Sequence, residues 1–92
     1  MMNYYNKEFA YKSVRDLVNE GLKQMRNPNL DDNLYNAWVN YSQKILEIST
    51  QGYNPNIELN YLRVISNISQ ALPPFKKIGL CLDYLIGVLK IL

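Results

Sequence analysis

Few side chains in this 92-residue sequence could carry covalent or acid–base chemistry. The single cysteine, Cys81, would be a nucleophile only as a thiolate, and at neutral pH that needs an activating neighbour. The chain has no histidine, so the commonest general base, metal ligand and pH switch is missing. Cys81 lies on an apolar helical stripe, where a lone cysteine behaves as a small buried hydrophobe. The adjacent carboxylates Asp31 and Asp32 could begin a metal or acid–base site, yet nothing is spaced to complete one. They stand at a helix start, where the helix dipole favours negative charge. Asp16 and Glu20 have basic residues three or four positions away, the pattern of a solvated helix face. Trp38, the only tryptophan, reads as a core anchor rather than a ligand platform. The residues point to no enzyme, cofactor or metal.

Charge excludes a further class. Ten basic and eight acidic residues give a net charge of +2, and the longest basic run is the pair Lys76-Lys77. A nucleic-acid binder usually carries a basic cluster or stripe, so nucleic acid is not an expected partner. Hydrophobic residues make up 48% of the chain, enough for a single folded domain over 1–92. A chain of this size buries roughly 60–65% of its unfolded surface, which leaves little room for a deep active site.

The start of the chain, MMNYYNKEFAYKS, is polar and lacks the apolar core of a signal peptide. The expectation is a cytoplasmic protein, in which the Asn-x-Ser triplets at Asn40 and Asn67 carry no glycan. The most apolar stretch, Phe75 to Leu92, contains Asp83 and Lys90 and is shorter than the roughly 20 apolar residues of a membrane span. A surface-bound helix usually has a richly cationic face, so weak peripheral membrane association is the most that is expected.

The elements that would position these residues are helices. No segment alternates as a strand does, and the spacing of apolar residues predicts four helices, about 7–26, 30–51, 55–72 and 74–91. The first buries Val14, Leu17, Val18, Leu22 and Met25, with Ala10 and Gly21 as smaller members. Asn27-Pro28-Asn29 stops it, and Asn29 is a suitable N-cap for the second. That helix repeats Leu34, Trp38, Tyr41, Ile45 and Ile48 at bundle spacing, and Gly52 suits a left-handed C′ position. Asn54 and Pro55 open the third helix, with Ile57, Tyr61, Val64, Ile65, Ile68 and Leu72 on one face. Pro73-Pro74 ends it, and Pro74 can be the first residue of the fourth. Short loops make neighbours antiparallel, so the fold class is all-α, an antiparallel up-down-up-down four-helix bundle.

The last helix has more apolar surface than one core needs. Phe75, Ile78, Leu82, Leu85 and Leu89 form a stripe that closes the bundle. A second stripe, Cys81, Tyr84, Val88 and Ile91, reads as surplus. Lys76 and Lys77 sit at a helix start, where cations are disfavoured, and local misfits of this kind often mark functional positions. The expected partner-binding residues are therefore Lys76, Lys77, Cys81, Tyr84, Val88, Lys90 and Ile91.

With its helices placed, the chain resembles the immunity proteins for pediocin-like (class IIa) bacteriocins of lactic acid bacteria, over roughly Val14 to Leu92. The resemblance rests on VRDLVNEGLKQM, LYNAWVNYSQKILEIS and, most closely, YNPNIELNYLRVISNISQALPPF. These are patterns without a diagnostic motif. The resemblance implies a cytoplasmic four-helix bundle that binds the bacteriocin-occupied mannose phosphotransferase permease from the inner side and blocks the pore. It implies specificity in the C-terminal half, about Asn54 to Leu92, and a largely monomeric protein without catalytic residues. Many family members have a further tail after the last helix, whereas this sequence ends at Leu92. Either the last helix replaces that tail in recognition or it is buried in a dimer. The alternative is another helical interaction module, of the phage-inhibitor or antitoxin kind, that self-associates through this helix.

Overall fold

The computed structural model describes residues 7–92. They form α1 (Lys7–Met25), α2 (Asp32–Thr50), α3 (Asn56–Ser66) and α4 (Pro74–Ile91), with no strand among them. Residues 1–6, part of the polar start MMNYYNKEFAYKS, lie outside the described residues. Each helix packs against its sequence neighbours, and α1 closes the ring by packing along α4, its most extensive contact. α2 and α4 meet across the diagonal, while α1 and α3 do not meet. This is the up-down-up-down four-helix bundle.

The helix ends follow local chemistry. Asp31, rather than Asn29, caps α2: its Oδ1 accepts from the Leu34 N–H at 2.8 Å. Asn29 is held in a turn instead, its N–H donating to Asn27 Oδ1. Asn54 does orient the start of α3, accepting the Asn56 N–H on its Oδ1 at 3.0 Å. Pro74 opens α4 behind an extended Pro73, where a missing N–H costs nothing. Gly52 is not left-handed, since no described glycine has positive φ. The Thr50 carbonyl instead collects the N–H groups of Tyr53 and Asn54, so the turn closes right-handed.

α3 ends at Ser66, six residues before the expected stop. Ser66 donates its hydroxyl to the Arg63 carbonyl, Asn67 N–H bonds the Arg63 and Val64 carbonyls, and Ser69 Oγ accepts from Ala71 N–H. Such residues offer the backbone an alternative to the helix. Ile68 still reaches the core from this irregular segment, and Leu72 packs partly against it.

The core differs from the expected one chiefly on α2. Tyr35, Trp38, Val39, Ser42, Leu46, Ser49 and Thr50 are buried, whereas Leu34, Tyr41 and Ile48 are exposed, Ile48 at 62%. Hydroxyls can occupy the inner face because most are bonded there. Ser42 Oγ donates to the Val39 carbonyl and Thr50 Oγ1 to the Leu46 carbonyl, which offsets the cost of burying them. Trp38 does anchor the core, resting against Gly21 of α1.

Candidate partner-binding surface

α4 carries all of the expected partner-binding residues, and its two faces sort them. Lys77, Cys81 and Val88 point inward and are buried. Lys76, Lys90 and Ile91 are exposed, and Tyr84 is half-buried. The second stripe is thus not surplus: Cys81 and Val88 belong to the core together with Ile78, Leu82 and Leu85. Phe75, expected to close the bundle, is instead 46% exposed. The correction amounts to a rotation of the helix about its axis, because almost every side of α4 offers an apolar residue.

Lys77 shows how its misfit is resolved. Only 1% exposed, it places Nζ 3.0 Å from Asp32 Oδ1 and 4.7 Å from the centre of the Tyr35 ring. A carboxylate and an aromatic face together neutralise a cation that could not otherwise be buried. The pair joins the first turns of α2 and α4, the two helices on the bundle's diagonal.

Polar groups continue inward from this pair. Tyr35, Tyr61 and Cys81 are buried in one core cluster, and Tyr61 shares a 2.7 Å hydrogen bond with Ser42. Tyr84 stacks on Tyr61, with ring centres 5.7 Å apart, and donates its hydroxyl to the Ile57 carbonyl at 2.6 Å. Burial pushes the Tyr35 and Tyr61 hydroxyls well above the ordinary tyrosine range, and the nearby Cys81 thiol pushes in the same direction. Burial likewise raises the Cys81 thiol, against the opposing pull of hydrogen bonds from Tyr61 and Tyr35. Tyr84 is raised by burial. A thiol held protonated is a poor nucleophile, so this network fastens α2, α3 and α4 together rather than activating Cys81.

The outer surface is where a partner has access. Phe75, Leu80, Ile86 and Ile91 of α4 and Leu59 and Leu62 of α3 are exposed. A cleft of about 350 Å³ opens between the start of α3 and α4, lined by Asn54, Asn56, Asn60, Asp83, Tyr84, Gly87 and Ile91 over Ile57 and Val88. Three of the expected residues, Tyr84, Val88 and Ile91, meet there, whereas Lys76 borders a separate shallow hollow with Phe75 and Leu80. A groove of about 520 Å³ between α1 and α2 is lined by Asp16, Glu20, Leu34, Tyr41 and Ile45 among others. Asp83 and Gly87 were not expected at a site. Their signal in the sequence was their place in the thin polar seam of an otherwise apolar helix.

Among the described residues, no group of three or more potential ligands could hold a metal ion, and no helix is long and apolar enough to cross a membrane. Comparison with protein-family models, curated proteins and solved structures finds no match to this chain.

Proposed function

We propose that this chain is an immunity-type binding protein. It acts in the cytoplasm, engages the bacteriocin-occupied mannose phosphotransferase permease from the inner side, and blocks the pore formed by a pediocin-like peptide. The reading starts from the resemblance of the helix pattern, and the observation that carries it is the two-sided build of the C-terminal half. The inner face of that half is fixed by Lys77–Asp32, Tyr61–Ser42 and Tyr84–Ile57 contacts. Its outer face leaves Leu59, Leu62, Phe75, Leu80, Ile86 and Ile91 in solvent. Rigid support beneath exposed apolar groups is what a docking surface requires, because little ordering entropy is lost on binding. Expression in a sensitive cell should raise tolerance to one cognate peptide in a panel of pediocin-like bacteriocins. Unchanged sensitivity to every peptide in the panel would remove the proposal.

The same exposed residues favour a second reading, self-association through the outer face of α4. Leu80, which is 43% exposed, is the position that separates the two. Sedimentation showing a dimer that dissociates on Leu80→Asp with helicity intact would favour the second reading, whereas a monomer favours the first. Leu85 cannot serve this purpose because it is fully buried.

A further inference from the structure

The cleft between α3 and α4 has a chemistry that narrows its occupant. Its floor is apolar, with Ile57 and Val88 both buried and Ile91 beside them. On the α4 side stands Asp83, which makes no ion pair among the described residues. The α3 side offers Asn56 and Asn60, whose carboxamides make no hydrogen bond within the described residues. Between them the cavity reaches the helix backbone, since a Cβ at Gly87 would meet nothing within 4 Å.

We propose that this cleft receives an arginine side chain presented by a protein partner. The guanidinium sits on the Asp83 carboxylate and donates its remaining N–H groups to the Asn56 and Asn60 carboxamide oxygens. The aliphatic stem lies along Gly87, between Val88 and Ile91. An anionic group is repelled by Asp83, and a purely apolar one would leave the carboxamides and the carboxylate without partners. A lysine ammonium is a compact point charge, whereas the planar fork of arginine reaches separated acceptors while its stem covers apolar surface. Exposed Lys90 stands one turn beyond Gly87 and directs the cation to the Asp83 end. The proposal rests on the C-terminal half being the partner-facing half, and it names what the partner contributes.

An amide-resolved NMR titration of the full chain with N-acetyl-arginine amide tests it, with N-acetyl-citrulline amide as the neutral isostere. Saturable shifts centred on Asp83, Gly87 and Asn60 are expected, on the millimolar scale of single-side-chain ligands. The citrulline compound should bind about threefold more weakly or worse, as loss of an exposed charge pair implies. Asp83→Asn should abolish the preference for arginine. Gly87→Leu, whose side chain would fill the cleft, should abolish the shifts while helicity and melting temperature hold. Absence of saturable shifts at the cleft, or equal binding of the two compounds, overturns the proposal. The titration contains no bacteriocin, so a wild-type chain that fails to protect cells would remove the proposed function and leave the arginine result standing. If wild type protects and Gly87→Leu protects equally well, the cleft is not the partner's seat.

Discussion

A Cβ built at Gly21 comes within 2.7 Å of Leu82 Cδ2 and 2.9 Å of Trp38 Cζ2, whereas one built at Gly87 meets nothing within 4 Å. The two glycines mark two kinds of helix contact in one small bundle. Around Gly21, α1 lies so close to Trp38 and Leu82 that the missing side chain is part of the packing. Around Gly87, α4 stands back from the start of α3, and the space is bordered by Asp83 and asparagines. The first contact is apolar and interdigitated, the arrangement in which small changes in volume are felt strongly. The second is held from beneath by Tyr84 and Tyr61, through hydroxyl bonds and ring stacking, and leaves its rim open. The bundle thus closes tightly where Gly21 of α1 meets Trp38 and Leu82, and keeps an accessible cleft where α4 passes the start of α3.

The contrast is easiest to break at Gly21. Gly21→Val should cost about 3 kcal/mol, since both neighbours are side chains fixed in the core and overpacking of this degree forces them off their rotamers. Urea denaturation measures it, and a loss near zero would show that the α1 contact is as loose as the α3 one. High pH should strain the other region selectively. Tyr61 and Cys81 are raised in the folded state, so the unfolded chain releases their protons first and stability falls as pH rises. The loss from these groups should begin near pH 9 with Cys81. Above pH 10 Tyr61 should add a slope of about 1.4 kcal/mol per pH unit. Tyr35 and Tyr84 are raised as well and share the alkaline loss, so Tyr61→Phe should remove only its own share, about 1.4 kcal/mol per pH unit above pH 10, and an unchanged slope would place the alkaline sensitivity elsewhere. The smallest effect should have the opposite sign to the first. Gly87→Ala should stabilise the protein by about 0.5–1 kcal/mol, because the space is free and alanine favours the helix. Destabilisation there would mean that α3 and α4 approach more closely in solution.

The number and order of helices were legible in the sequence because prolines and asparagines punctuate it at Asn27-Pro28, Asn54-Pro55 and Pro73-Pro74. Helical phase was harder to read. On α2, counting hydrophobic residues selects Leu34, Tyr41 and Ile48. The true inner face hides Ser42, Ser49 and Thr50, two of which satisfy their hydroxyls on carbonyls of their own helix. On α4 nearly every direction is apolar, so the sequence pattern could not say which stripe faced inward. Lys77 deceived for a related reason. Its carboxylate partner is 45 residues away in the chain, and no local pattern announces such a pairing. The cleft depends on Gly87 and three asparagines whose meaning is empty space, and empty space has no periodicity.

The dominance of the α1–α4 contact also has a consequence for how the protein is made. The helix synthesised first takes its largest share of packing from the helix synthesised last of the four. Until α4 has left the ribosome, Gly21 and Trp38 have no Leu82 beside them, and Tyr35 and Tyr61 lack the α4 side of their setting. Closing this ring therefore joins distant parts of the chain late, which slows folding relative to neighbour-only bundles. A nascent chain halted before α4 would expose apolar surface that the finished protein hides, so the cell must tolerate or shield that surface for as long as translation takes.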